Sequence, residues 1–124
     1  MRFRFIVFKK IFLEKILAGD KVSTIRLNDD FQVGGVYPVK CRWNDPLHCF
    51  IKIVSREKKR LKDLTDGDAR LDGFSSVLEL KEALRKCYKN ISDETEVFIY
   101  HFKLLKTLEK IRPILCYFQI SLFL

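Results

Sequence analysis

An α+β domain, with short strands curled into a barrel and helices packed at its ends, is the fold class that three observations predict. Short apolar alternations recur along the chain with the two-residue period of half-buried strands, and two stretches switch to helical spacing. The resulting order, β-α-β-(ββ)-α-α-β, keeps most strands short and close in sequence. The composition is that of one folded domain: 124 residues, 48% hydrophobic with 11 Phe, and 32% charged.

Phe3, Phe5 and Val7 alternate with Arg4, Ile6 and Phe8, giving a first strand. Ile11, Phe12, Leu13, Ile16 and Leu17 then fall on one helical face, and Gly19 is placed to stop that helix. Thr24 to Leu27 reads as a short strand, and Asn28-Asp29-Asp30 and Gly34-Gly35 as turns. Tyr37, Val39, Cys41 and Trp43 alternate with Pro38, Lys40 and Arg42, a half-buried strand whose Pro38 suggests an edge at its start. After the turn Asn44-Asp45-Pro46, a strand through Cys49, Ile51 and Ile53 completes a hairpin over 36–54.

Residues 56–62 hold five basic side chains in seven, which reads as a solvated loop or strand end, or as a contact surface. Asp66 to Leu71 forms a short helix. Ser76 to Glu79 has the form of a capping box before a helix with Val77, Leu80, Ala83, Leu84 and Cys87 on its apolar face, ending near Tyr88. Val97 to Leu104 is strand-like and apolar enough to be buried on both faces. From 107 the pattern is mixed: Leu108, Ile111 and Ile114 suggest a helical turn, Pro113 breaks it, and Cys116 to Leu124 reads as an edge strand or an apolar flap.

The net charge of +8 is concentrated. Residues 1–62 carry 15 Lys and Arg against 6 Asp and Glu, whereas 63–124 carry 9 against 10. A positive field confined to one half suits a polyanion, most simply nucleic acid, although excess base also serves solubility alone. Cys41, Cys49, Cys87 and Cys116 form no C-x-x-C pair and lie in apolar alternations, and His48 and His101 are far apart. Structural zinc and disulfides are therefore not expected; the thiols read as small buried apolar groups, and no metal or other cofactor is expected. The N-terminus shows no signal-peptide pattern, and the apolar run Ile114 to Leu124 is too short to span a bilayer. The expected location is cytoplasmic, as a monomer or weak homo-oligomer.

The densest chemistry lies at Gly19-Asp20-Lys21-Val22-Ser23-Thr24-Ile25-Arg26. Thr24 and Arg26, two apart on a strand, face the same side, while Ile25 points to the core. Ammonium, guanidinium and hydroxyl together can hold a phosphate or carboxylate by charge-assisted bonds. Alternatively, a desolvated Lys beside a cation can take the proton of a Thr that attacks an acyl carbon. A third reading is a plain basic turn with Arg26 tied to Asp29 or Asp30.

Ile16 to Arg26 resembles the opening motif of the ASCH family, G-x-K-x-x-x-x-R, whose fold is a PUA-like mixed β-barrel with helices packed at its ends. The likeness continues through Phe31-Gln32-Val33-Gly34-Gly35, Leu64-Thr65, Ala69, Asp72-Gly73-Phe74, Glu79-Leu80 and the closing strand 97–102. It covers residues 1–104 as one domain and leaves 105–124 as an apolar extension outside it. The resemblance implies a cleft between barrel and helices that binds RNA or a nucleobase, lined here by Lys21, Thr24, Arg26 and Asp72. Lys40, Arg42, Lys52, Lys58, Lys59 and Arg60 would meet phosphates, and Tyr37 or Trp43 would stack on bases if they were not in the core. Some small members are amidohydrolases that deacylate N4-acetylcytidine with Lys, Thr and Glu. Lys21 and Thr24 fall on the first two positions, and Asp72 stands where the family has Glu, one methylene shorter. Gly35 stands where the family usually has Asp. Convergence of Lys21 Nζ, Thr24 Oγ1 and the Asp72 carboxylate within hydrogen-bond reach would favour catalysis, and wide separation would favour binding.

Overall fold

The computed structural model describes residues 5–42 and 44–107. In chain order these form β1 (Ile6–Val7), α1 (Lys10–Ala18), β2 (Ser23–Arg26), β3 (Val36–Lys40), β4 (Cys49–Arg60), a 3₁₀ turn (Leu61–Asp63), α2 (Asp66–Leu71), α3 (Val77–Cys87) and β5 (Glu96–Thr107). The strands make one mixed sheet in the order β1-β3-β4-β5-β2. β1 runs parallel to β3, with Ile6 opposite Val39, and the remaining pairs are antiparallel. Pro38 lies in the part of β3 that the short β1 does not reach, so its missing N–H interrupts no ladder on that side.

The long strands β4 and β5 carry register irregularities at Phe50/Ile51 and Ile53/Ser55. Such bulges bend and twist a ladder, and this sheet curls into a half-barrel. The curl divides the core in two. Tyr100 and Phe102 of β5 join Ile6, Val39, Ile51 and Ile53 beneath Leu13 and Ile16 of α1. Val97 and Ile99, on the alternate face, join Ile25 with Leu61, Leu64, Ala69, Leu80 and Leu84 of the α2–α3 side. β5 is thus buried on both faces, as its near-continuous apolar run predicts.

Several local expectations need correction. The basic run 56–62, read as a loop or a strand end, is strand through Arg60: it forms the second half of β4 and pairs along its length with β5. β5 itself runs beyond the expected end at Leu104, to Thr107. At α3, Ser76 Oγ accepts from the Glu79 amide at 3.3 Å, while the reciprocal capping box stands at α2. There Thr65 Oγ1 accepts from Asp68 N and the Asp68 carboxylate accepts from Thr65 N. Cys49 is buried, but Cys87, expected inside, is exposed at the end of α3. Tyr37 belongs to the core, with its hydroxyl accepting from Gln32 N at 2.8 Å; Trp43, Cys116 and the tail from 108 lie outside the described residues. Among the described residues, no helix is long and apolar enough to cross a membrane.

Candidate functional site: a cleft at the junction of α1, β2 and α2

Gly19 ends α1 in the left-handed region, φ 84°, and the Asp20 amide turns back to the Lys15 carbonyl at 2.8 Å. The chain then crosses the C-terminus of α2, whose last carbonyls have no partner within the helix. Donors from the α1–β2 junction supply those partners. Leu71 O accepts from Val22 N at 2.8 Å, Asp72 O from Lys21 Nζ at 2.9 Å, and Gly73 O from Lys15 Nζ at 2.6 Å. Gly73 has φ 91°, and a Cβ there would stand 3.1 Å from the Lys15 side chain, so glycine suits both backbone and packing.

Lys21 also donates to the Asp72 carboxylate, forming an ion pair whose members are each only 4% exposed. Phe8 and Phe12 present their rings at 5.5 and 5.0 Å from Nζ. Burial dominates the electrostatics of both groups. It lowers the affinity of Lys21 for its proton, and it raises the Asp72 carboxyl to about 6, each effect being countered in part by the attraction between the two. The shorter acid therefore does reach its lysine, because Asp72 caps α2 directly against it.

Thr24 and Arg26 share a face of β2, as their spacing requires. Arg26 Nε donates to Thr24 Oγ1 at 3.0 Å, leaving the buried hydroxyl its own proton to donate. The guanidinium packs against Phe8 and Phe31, at 5.0 and 6.0 Å, and donates from Nη2 to Val7 O at 2.9 Å. Its partner is thus not Asp29 or Asp30; Asp29 is taken by Arg56 at 2.5 Å. The four groups associate as two pairs, Lys21 with Asp72 and Arg26 with Thr24. Among the described residues no hydrogen bond joins Lys21 to Thr24.

All four line one cleft of about 270 Å³. Its walls are largely apolar: Phe8 and Phe12, Ile25, Phe74, and Leu80, Ala83, Leu84 and Tyr88 from the α3 side. That volume lies just below the roughly 300–1,000 Å³ of drug-sized ligand sites, which suits a smaller ligand. Lys40, Arg42, Lys52, Lys58, Lys59 and Arg60 are not among the lining residues. Lys58 pairs with Glu96, Lys59 with Glu57 and Asp68, and Arg60 with Glu94; Arg42 and Lys52 are exposed elsewhere, and Lys40 lies over the Phe5 ring.

The lining adds Lys9 and Lys86, together with the aromatic walls, none of which the sequence singled out as site residues. A faint signal existed for one of them. Lys86 lies three residues after Ala83, on the flank of the apolar face of α3, but periodicity does not say that part of that face borders a cavity. Among the described residues, no group of three or more His, Cys, Asp and Glu side chains could hold a metal ion.

Comparison with known proteins places this architecture. The sequence profile of the ASCH domain matches residues 4–106, and the chain belongs to that family. An ASCH domain from Lactobacillus crispatus superposes with a TM-score of 0.70 at 20% identity, over 83% of this chain and 80% of that one. A protein from Enterococcus faecalis gives 0.65 at 12%, over 86% and 82%. ASCH from Zymomonas mobilis gives 0.62 at 11%, over 87% and 78%. At these identities the likeness is one of fold, the curled half-barrel sheet with its helices. No curated protein matches the chain.

Proposed function

We propose that the cleft binds a nucleobase, presented by RNA or by a free nucleoside or nucleotide. The observation that carries this reading is the lining itself: apolar, partly aromatic walls together with Thr24, which offers a hydroxyl proton, and Arg26, which offers its remaining N–H groups. Rings such as Phe12, Phe74 and Tyr88 match the face of a base, and the Thr24 and Arg26 donors match the acceptors on its edge. In this reading Lys21 and Asp72 hold α2 against β2 and set the floor of the cleft. The test is calorimetric titration with cytidine, with Thr24→Val as the variant. Binding weakened up to about tenfold in a variant of unchanged circular dichroism supports the reading, since one lost hydrogen bond is worth that much. An affinity indifferent to Thr24→Val, or no binding, refutes it.

The Lys21–Asp72 pair favours a second reading, deacylation of an N4-acylated cytidine. Burial lowers the affinity of Lys21 for its proton, and loss of that proton would leave a free amine to act as base. Thr24 Oγ1 would form a bond to the acyl carbon as Lys21 takes its proton. The C–N4 bond would then break with return of that proton to the departing amine, and water would release the acyl group from Thr24. Lys21 must first turn toward Thr24, since its observed partners are on Asp72. Incubation with N4-acetylcytidine checks it: cytidine and acetate should form, and Lys21→Ala should stop them. Turnover untouched by that substitution would remove Lys21 from the chemistry.

A further inference from the structure

Resting on this reading of the cleft, we propose that its ligand is a nucleoside phosphate, free or within an RNA strand, and that Lys9 and Lys86 hold the phosphate at the mouth. The lining carries four basic side chains, Lys9, Lys21, Arg26 and Lys86, against the single carboxylate of Asp72. Lys21 and Asp72 satisfy one another. Arg26 spends its two assigned donors on neutral oxygens, Thr24 Oγ1 and Val7 O. Among the described residues, no carboxylate lies within ion-pair distance of Lys9 or Lys86, while Arg26 feels Asp72 and Asp30 at longer range, so the excess positive charge stands at the mouth.

That charge contrasts with the densest basic segment of the chain. On β4 and just after it, Arg56, Lys58, Lys59, Arg60 and Lys62 each face a carboxylate: Asp29, Glu96, Asp68, Glu94 and Glu94 in turn. A run that looks like a polyanion site in sequence is largely neutralised in the fold, while two isolated lysines are not. Lys9 precedes α1, whose first turn contains no acidic residue, and Lys86 sits in the last turn of α3. Both are exposed yet border the cleft, so they stand at its rim on different elements. The acids on those helices, Glu14, Glu79 and Glu82, are absent from the lining. A ligand that fills this site is flat and apolar inside and anionic where it emerges, as a nucleoside phosphate is.

The test is titration of the whole protein with cytidine, cytidine 5′-monophosphate and a short single-stranded RNA, each at low and high salt. The monophosphate should bind about tenfold tighter than cytidine, a gain typical of a charge-assisted contact. Lys9→Ala combined with Lys86→Ala should abolish the gain and leave cytidine binding in place. Lys58→Ala with Arg60→Ala should keep it. RNA bound more tightly than the monophosphate, with a steeper salt dependence, assigns the phosphate to a strand; the reverse assigns it to a free nucleotide. Equal affinity for cytidine and its monophosphate, or a gain that survives loss of both lysines, overturns the phosphate site alone. No binding of any of the three overturns the nucleobase reading and the phosphate site together.

Discussion

Lys21 is held by a carboxylate, a main-chain carbonyl and two aromatic faces, with almost no water. A buried pair of this kind is poor at adding stability, yet costly to break from one side. Asp72→Ala should therefore destabilise the protein by about 3–5 kcal/mol in urea unfolding, whereas Lys21→Met combined with Asp72→Leu should recover most of that loss. An Asp72→Ala variant within about 1 kcal/mol of the parent would show that the pair is not held as described. Lys21, Thr24 and Arg26 were legible in the sequence because the helix stop at Gly19 and the two-residue strand period fix where they sit. The choice of partners was not. Whether Lys21 meets Thr24 or Asp72 depends on where the C-terminus of α2 docks, and that contact spans fifty-one positions of chain.

Among the elements, the turn before β3 explains why Gly35 replaces an acid. A Cβ on Gly35 would lie 2.8 Å from the Tyr37 ring and 2.9 Å from Gln32 O, because Tyr37 folds back so that its hydroxyl meets the Gln32 amide. Gly35→Ala should cost about 1–3 kcal/mol in thermal or urea melts, the usual range for overpacking, and Tyr37→Phe should not relieve it because the ring carbon remains. A neutral Gly35→Ala would mean the turn opens freely. β4 teaches the opposite lesson about legibility. Its first half announces itself by alternation at Cys49, Ile51 and Ile53, but its second half reads as a charge run. The carboxylates that make it a strand with salt-bridged flanks, Glu94, Glu96, Asp68 and Asp29, are scattered far along the chain. Period-based reading registers the charges and misses the pairing.

Across the whole molecule, two buried acids pull the pH dependence in opposite directions. The Asp72 carboxyl titrates at about 6 when folded, against an ordinary 3.8, because burial disfavours its charge. Between those values the folded state holds the extra proton, so stability falls as pH rises from about 4 to about 6. Asp68 is depressed: Lys59 and the Thr65 amide favour its carboxylate enough to outweigh the burial that opposes it. Its contribution is present above about 3.8 and is lost below. Their sum should give maximal stability near pH 4, read as the midpoint of thermal unfolding, and Asp72→Asn should flatten the decline toward pH 6. An Asp72→Asn profile as steep as the parent's would place the titration elsewhere. Lys21, lowered by burial, acts with opposite sign, at pH values below its ordinary 10.5. The charge asymmetry of the chain was legible in the sequence, but which charges stay unpaired was not, because composition counts charges and the fold decides which of them cancel.

Arg26 has one more consequence. β1 and β2 are the two outer strands of the curled sheet, and the guanidinium reaches from one to the carbonyl of Val7 on the other. The half-barrel is fastened across its opening by a side chain where a closed barrel would use a ladder of main-chain bonds. The clasp and the floor of the cleft are the same residue. Cutting it away would therefore loosen the rim of the vessel while emptying its base, and losses seen in an Arg26→Ala protein would mix the two. Thr24, which leans on the clasp without forming it, separates them.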